Sequence, residues 1–436
     1  MTAGQPATST GRSTEVAREV PVLDPEVVIA QAGGLAVLGR PVEIGWEGLG
    51  SRFARFFAAA TLSYYGDWFT TVALVVLLYR LSGPAAPAGY MLARVLPRLF
   101  SSGMGGVLAD RFQPQQVVAT CAVLQGLLTI SIVPSAHMHA VWAVYGAVVL
   151  AQFAGGGARP ALGALVPRVA PPQRLQRANA LHSLGFSSSV AVGPALAAPL
   201  LLATGTDTLL VIDAATFAIA AILMVTLGID SSRRAWSAPP RGLTVGLRAV
   251  WHDPTIRVLA AAWACSALAV TAASSVLVLV AKSFGDEAKV GYLYAAVGGG
   301  SVLLGVLVLR VRPRFASRDI LVGLTLLEVI CLALITLHGP MWAVLLPLAA
   351  SGGAGVVWQT WGTTDLQLRC HPAFLGRVNA VMVVASSAGM LIGAVLAVAL
   401  VPWAGWERTL FVACCLSLAV LAAGVVLGPQ RRAAAD

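Results

Sequence analysis

The chain has 436 residues, of which 58% are hydrophobic and 11% are charged, and its mean hydropathy is +0.81. A soluble protein carries about 25% charged residues, and the apolar residues here fall in many separate runs. Each run approaches the roughly 20 residues needed to cross a bilayer. The composition excludes a soluble globular protein and predicts a polytopic membrane protein surrounded by the lipid bilayer.

The net charge of +10 comes from 29 basic and 19 acidic residues, and all but two of the basic residues are arginines. The arginines lie in alternate loops, which is the pattern of membrane topology and not of nucleic-acid binding. None of the six cysteines has a metal-ligand spacing such as C-x-x-C. We therefore expect no nucleic-acid partner, no disulfide, no metal and no cofactor.

The apolar runs predict twelve transmembrane helices, because isolated strands would leave backbone groups unpaired in lipid. The predicted spans are 54–79, 86–109, 116–136, 140–165, 179–203, 208–229, 256–281, 289–309, 319–338, 341–365, 375–402 and 407–428. The fold class is an all-α polytopic membrane protein with two six-helix halves, 54–229 and 256–428. We predict that a cytoplasmic linker, 230–255, joins the halves. Residues 1–53 are predicted to form a partly disordered cytoplasmic extension, and residues 429–436 a cytoplasmic tail.

The loops predict the orientation of the chain. One set of loops and the tail hold Arg111, Arg168, Arg174, Arg177, Arg233, Arg234, Arg241, Arg248, Arg257, Arg310, Arg312, Arg314, Arg318, Arg369, Arg377, Arg431 and Arg432. The other set holds only Arg80, Lys282, Lys289 and Arg408. Because basic loops remain in the cytoplasm, we predict a multi-pass protein of the cell membrane with both termini cytoplasmic, and we expect a monomer.

The two halves resemble each other at an offset of 200 residues. The segment RANAL at 177–181 matches RVNAV at 377–381. At the same offset, Gly193 meets Gly393 and Gly205 meets Gly405. Duplicated halves of this kind are typical of secondary transporters.

The first predicted span contains an aspartate, Asp67, within the segment SYYGDWF. An ionised carboxylate in hydrocarbon costs roughly 2.5–3.5 kcal/mol on insertion scales, so its presence indicates a functional site. The residues that share its helix face are Ser63, Tyr64, Thr70 and Thr71. We predict that this face turns toward protein or water, where the carboxyl group gains and loses a proton.

The second predicted span carries Arg94 and Arg98 one turn apart. Arg98 and Asp67 both lie roughly 18 Å from the connecting loop at 1.5 Å per residue, so an ion pair between Asp67 and one of these arginines is feasible. Such a pair would compete with a proton for the carboxylate. Two interpretations stay open, a proton-coupling site formed by Asp67, Arg94 and Arg98, or a static ion pair between the first two helices.

Other spans also carry polar or aromatic residues on one face. We predict a substrate cavity lined by Ser63, Tyr64, Thr70, Gln152, Arg159, Thr271, Ser274, Trp358 and Trp361. The alternative for these positions is helix packing, with Arg159 extending its charge toward the membrane surface. Asp213 and Glu328 either join a proton relay or are hydrogen-bonded structural residues. The sequence has no P-loop, H-E-x-x-H or G-x-S-x-G motif, so we do not predict an enzyme.

The segment GGVLADRF at 105–112 resembles the G-x-x-x-D-R loop motif of the major facilitator superfamily, and Gly106, Asp110 and Arg111 match it. The segments ARPALGALVPRVAPPQRLQRANAL, IDAATF and GLRAVWHDP are similar to its macrolide-efflux and enterobactin-exporter branch. VGPALAA resembles the antiporter motif of that superfamily through Gly193 and Pro194. We assign these five residues, with Arg177 and Arg377 of the repeat, to a conformational gate.

This resemblance implies twelve helices, a central cavity and proton-coupled export. We therefore predict a secondary transporter that binds protons and an amphipathic small molecule, such as a drug, siderophore or secondary metabolite, and exports that molecule by alternating access. A proton-coupled importer of a small metabolite is the main alternative. A membrane sensor or scaffold without transport activity is a further alternative.

Overall fold

The computed structural model describes residues 48–229, 253–310, 318–337, 339–369 and 372–426. Within these ranges the regular secondary structure is helical. The N-terminal extension up to residue 47, the linker segment 230–252 and the tail from residue 427 lie outside the described residues. The described helices therefore lie before and after the linker segment.

Six long helices form each half. In the first half they are α1 (Gly50–Ser82), α2 (Ala86–Arg111), α3 (Pro114–His137), α4 (Val141–Val169), α5 (Leu175–Thr204) and α6 (Thr206–Val225). In the second half they are α7 (Pro254–Ser283), α8 (Val290–Arg310), α9 (Arg318–Leu334), α10 (Met341–Arg369), and α11 and α12 within the continuous run Pro372–Val426. Gly405 has non-helical dihedral angles and separates α11 (372–404) from α12 (406–426).

The structure confirms the polytopic helical fold. By length and apolar composition, nine helices of the described chain are suited to cross a membrane, and the last of these contains both α11 and α12. The remaining two are α9, which has 17 residues, and α2, which carries the intramembrane arginines. Helix α7 begins at Pro254, two residues before the predicted span, because Asp253 caps it by accepting hydrogen bonds from the amides of Thr255 and Ile256.

The 200-residue repeat appears in backbone conformation. Gly205, between α5 and α6, has φ 84° and ψ −176°, and Gly405, between α11 and α12, has φ 80° and ψ 171°. The helix contacts repeat as well, since Gly193 packs on Trp68 of α1 and Gly393 packs on Leu268 of α7. Corresponding helices therefore pack through corresponding residues, which supports the duplication inferred from sequence.

Replacing Gly205, between α5 and α6, tests how much its backbone conformation with positive φ would destabilise a residue that has a side chain. We expect Gly205→Ala to lower the free energy of unfolding by about 1–3 kcal/mol, because its backbone region is essentially restricted to glycine. A methyl group there would meet no other atom within 4 Å, so the effect is conformational. Gly146→Ala is the matched control, since it has the same open space inside helix α4 and should raise stability by up to about 1 kcal/mol. Unfolding in mixed dodecyl sulfate micelles measures both, and equal effects would contradict the prediction.

The two halves are joined at the end of the bundle that carries Arg80, Lys282, Lys289 and Arg408, which we call the arginine-poor end. Arg80 Nε lies 3.3 Å from Glu287 Oε1, and Lys282 Nζ lies 5.2 Å from the centre of the Tyr79 ring. Deeper in the bundle, Gly298 of α8 packs against Ala195 of α5. The largest apolar cluster includes residues of both halves, whereas the second cluster, around Phe53 and Leu165, contains only residues of the first half. The interface is therefore closed at the arginine-poor end.

Candidate functional site

An ion pair joins α1 and α2 inside the bundle. Nη2 of Arg98 lies 3.1 Å from Oδ2 of Asp67, and the two side chains are 18% and 27% exposed. Asp67 sits near the middle of the 33-residue helix α1, so the pair is far from both ends of the bundle. Nε of Arg98 is buried and has no hydrogen-bond partner among the described residues. One nitrogen of the guanidinium group, Nη2, therefore pairs with Asp67, while Nε remains available as a donor.

Arg94 is placed differently from Arg98. Its guanidinium carbon lies 5.7 Å from the centre of the Trp68 ring, which is a cation–π contact. The same indole fills the space left by Gly193 of α5. The predicted coupling residues are therefore divided, with Arg98 paired to the carboxylate and Arg94 stacked on a tryptophan that contacts the predicted gate residue Gly193.

A second acid, Asp213 of α6, faces helix α1 one turn from Asp67. The Thr70 hydroxyl donates a 2.5 Å hydrogen bond to Oδ2 of Asp213, and the Thr216 hydroxyl lies 3.2 Å from Oδ1. Asp213 is 1% exposed. A side chain at Gly66 would collide with the Asp213 carboxylate and the Thr216 hydroxyl, so this glycine permits α1 and α6 to bring the two acids together.

A small cavity adjoins the ion pair. Its volume is about 60 Å³, and its lining includes Ser63, Tyr64, Asp67, Arg98 and Arg159 together with Gln125. The lining residues come from α1, α2, α3, α4 and α6, all in the first half. A drug-sized ligand needs roughly 300–1,000 Å³, so this cavity suits a few water molecules or one small chemical group.

The glycines of α4 allow the close packing that shapes this cavity. A methyl group at Gly156 would meet Ser101 and the backbone of Arg98 on α2. One at Gly155 would lie 2.9 Å from Nε2 of Gln125 on α3. Gln152, one turn earlier on α4, is buried, and its Oε1 has no hydrogen-bond partner among the described residues. These contacts bring the backbone of α2 against α4 near Arg98.

The other predicted cavity residues lie apart from this site. Thr70 is turned toward Asp213. In the second half, the Thr271 carbonyl accepts a hydrogen bond from Ser275, Ser274 is half-buried, and the Trp358 ring centre lies 5.1 Å from that of Trp263 in an edge-to-face contact. Trp361 is half-buried beside them on α10. The cavity at Asp67 includes none of these second-half residues.

Glu328 forms a separate buried position in the second half. It is 4% exposed, and its Oε2 has no hydrogen-bond partner within the described part of the chain. Its Oε1 lies 2.8 Å from where a methyl group would stand at Gly355 of α10. At the 200-residue offset, Glu328 corresponds to Leu128 and Asp67 corresponds to Ala267. The two halves therefore share packing but differ in their intramembrane charges.

The predicted gate residues are only partly described. Pro194 follows Gly193 inside α5, and both are buried. Arg111 is exposed at the end of α2, and Arg177 is half-buried near the start of α5. The side chains of Gly106, Asp110 and Arg377 lie outside the described residues. The gate therefore stays a prediction for those three positions.

Sequence reasoning did not find the contact between α1 and α6 that surrounds Asp213, nor the position of Gln125 at the cavity. Asp213 was visible as an acid in an apolar run, but nothing in the sequence placed it beside Thr70. The glycine that precedes Asp67 was the available signal, since a residue without a side chain inside a helix often marks close packing.

Among the described residues, no group of three His, Cys, Asp or Glu side chains is placed to hold a metal ion.

Two related six-helix halves that carry charged residues within their membrane helices are the architecture of a membrane transporter. The model of the Major Facilitator Superfamily matches residues 56–369. The chain belongs to this superfamily.

Comparisons with individual proteins agree with this assignment. The chain is 28% identical over 359 residues to the uncharacterized MFS-type transporter y4rN of Sinorhizobium fredii, covering 78% of this chain and 86% of y4rN. It is 24% identical over 383 residues to the uncharacterized MFS-type transporter YfiS of Bacillus subtilis, with 83% and 90% covered. Both relatives match over most of their length, so the whole transporter fold is shared.

Solved structures show the same fold at low sequence identity. The nucleoside transporter NupG has a TM-score of 0.61 and 14% identity, covering 86% of this chain and 98% of that chain. A peptide transporter POT in complex with sulfate has a TM-score of 0.62 and 14% identity, covering 87% and 95%. These structures support the helical architecture of the chain.

Proposed function

We propose that the chain is a proton-coupled secondary transporter of the cell membrane that exports an amphipathic small molecule by alternating access. The observation that carries this proposal is the ion pair between Asp67 and Arg98 in the middle of the bundle. Intramembrane ion pairs of this kind mark proton relays and substrate pathways in transporters. The small cavity beside the pair supplies room for water to deliver a proton.

Protonation would act on the contact between α1 and α2. A proton on Asp67 removes the negative charge that attracts Arg98, so the ion pair weakens. Helices α1 and α2 can then shift relative to each other. Moving one charge through 100 mV releases about 2.3 kcal/mol. That energy supports a concentration gradient of roughly fortyfold, because each tenfold step requires about 1.4 kcal/mol.

The closed arginine-poor end fits an alternating cycle. If the arginine-rich loops are cytoplasmic, as their charge bias predicts, the structure represents a state closed toward the outside. The Arg80–Glu287 pair and the Lys282–Tyr79 contact would then separate when the protein opens outward. Export agrees with the resemblance of the Gly193–Pro194 segment to an antiporter motif and with the similarity to the macrolide-efflux and enterobactin-exporter branch.

Proton-coupled uptake is the second candidate, and one observation favours it. The cavity that holds Asp67 also holds Arg98 and Arg159, so neutralising Asp67 would leave it more positive. Protonation of Asp67 would then favour the binding of a negatively charged substrate, which is the coupling expected of a symporter.

Everted membrane vesicles test the proposal. We expect native vesicles energised with a proton gradient to accumulate at least one of rhodamine 6G, Nile red and carboxyfluorescein, which are cationic, neutral and anionic. A protonophore should abolish the signal, and Asp67→Asn should lower it to about a tenth or less, since without this carboxylate the roughly 2.3 kcal/mol per charge of the proton gradient no longer drives accumulation.

The control is Asp207→Asn, which removes an exposed acid paired with His137 at the arginine-poor end and should leave transport near the native rate. Equal pumping by native protein and Asp67→Asn would contradict the coupling role of Asp67. Accumulation only in right-side-out vesicles would contradict export and support uptake.

A further inference from the structure

We propose that the cavity beside Asp67 binds a carboxylate group of the transported molecule, with Arg159 and Arg98 as its cationic contacts. This inference rests on the proposed transport function, and because neutralising Asp67 would favour the carboxylate, it favours the proton-coupled uptake candidate over export. It names a substrate class, organic acids and zwitterions, that the apolar composition of the bundle does not indicate.

The charges within the first half leave a positive excess. The basic side chains in the middle of its described helices are Arg94, Arg98 and Arg159, and the acids there are Asp67 and Asp213. Even with both carboxylates ionised, these positions hold one more positive than negative charge, and Arg159 among them is exposed. A guanidinium that no carboxylate neutralises attracts negative charge, so this excess favours the binding of an anion.

Two arginines contribute to the lining of the cavity. Arg159 and Arg98 line the same cavity, and Arg159 makes no ion pair among the described residues. Nη2 of Arg98 pairs with Asp67, and its buried Nε has no hydrogen-bond partner among the described residues. Arg94 lies over Trp68 and is not part of the lining. Two guanidinium groups with free donors on one cavity are suited to a planar carboxylate.

The size of the cavity agrees with this assignment. A volume of about 60 Å³ accommodates a few water molecules or a group of three heavy atoms. Ser63, Tyr64 and Gln125 add neutral hydrogen-bonding groups to the lining. The cavity would therefore hold the charged group of a substrate and not the whole molecule.

The arrangement belongs to the first half alone. At the 200-residue offset, Arg98 corresponds to Gly298, Arg159 to Gln359 and Arg94 to Tyr294. The duplication would have produced two equivalent surfaces, yet only one of them carries cations. The cationic cavity is therefore a specialised site and not a feature of the shared helix packing.

Thermal unfolding of the purified protein in detergent, at constant ionic strength set with sodium chloride, tests the inference without any proton gradient. The probes are benzoate, benzamide and benzylamine, which share a ring and differ in charge. Benzoate at about 20 mM should raise the melting temperature by about 3 °C or more, because a ligand that binds only the folded state stabilises it. Benzamide and benzylamine should produce less than a third of that shift.

Three variants complete the test. Arg159→Gln should abolish the benzoate shift, while Arg52→Gln, which removes an exposed arginine near the start of α1, should keep it. Asp67→Asn should lower the benzoate concentration for half of the shift by threefold or more, because it removes the anion that competes for Arg98.

A benzylamine shift equal to that of benzoate, or no benzoate shift in the native protein, would overturn the carboxylate site. If Asp67→Asn needs the same benzoate concentration as the native protein for half of the shift, Arg98 does not contribute to the carboxylate site. Each result is independent of transport, so a failure of proton coupling in vesicles would leave this inference standing.

Discussion

Arg98→Ala is expected to abolish proton-driven transport and to lower the free energy of unfolding by about 1–3 kcal/mol. The substitution leaves the Asp67 carboxylate in the bundle without its cation, and the cost lies between that of an exposed pair and that of a fully buried one. Adding Asp67→Asn to Arg98→Ala should restore most of the lost stability, because the unpaired charge is then gone. Transport should remain absent in the double variant, since the carboxylate assigned to proton coupling is gone.

A double-variant cycle measures this prediction. Unfolding in mixed dodecyl sulfate micelles gives the stabilities of the native protein, the two single variants and the double variant, and vesicle transport is measured on the same four proteins. Arg80→Ala is the control, because it breaks an exposed pair with Glu287 and should cost at most about 1 kcal/mol. Full additivity of Asp67→Asn and Arg98→Ala would contradict the pair, and transport by the double variant would contradict its coupling role.

Much of the fold was predictable because the bilayer imposes a simple rule. A spanning helix needs roughly 20 apolar residues, so the runs around Asp67 and Thr271 could be assigned to helices without tertiary information. The repeat was predictable from two glycines, since Gly205 and Gly405 occur at equivalent positions and take the same conformation. Helix ends were less predictable, as α1 begins at Gly50 and not at residue 54.

The site was only partly predictable, because it depends on which helices meet. Helical spacing placed Asp67 on a face with Ser63 and Tyr64, and loop length brought Arg98 to a similar depth. Spacing alone could not show that Thr70 bonds to Asp213 of α6, because that contact depends on the close approach of α1 and α6 at Gly66. It also could not place the cavity inside the first half.

The close packing of the second half leads to the last large effect that we expect. A methyl group at Gly300 of α8 would collide with the backbone carbonyl of Ala349 on α10, and one at Gly352 would collide with the backbone carbonyl of Val297. The two helices thus approach backbone to backbone, as small residues allow in membrane bundles. Neither carbonyl can move without shifting its helix, so the contact has little tolerance for added atoms.

Gly300→Ala should therefore lower the free energy of unfolding by about 1–3 kcal/mol, as overpacking does in well-packed interiors. Gly299→Ala is a control one residue away in the same helix, because a methyl group there meets nothing within 4 Å. It should be neutral or stabilising by up to about 1 kcal/mol, since alanine favours helix over glycine. Unfolding in mixed micelles compares the two. Equal losses would show that glycine is needed along this segment of α8 for flexibility, whereas a loss confined to Gly300→Ala assigns the effect to its contact with α10.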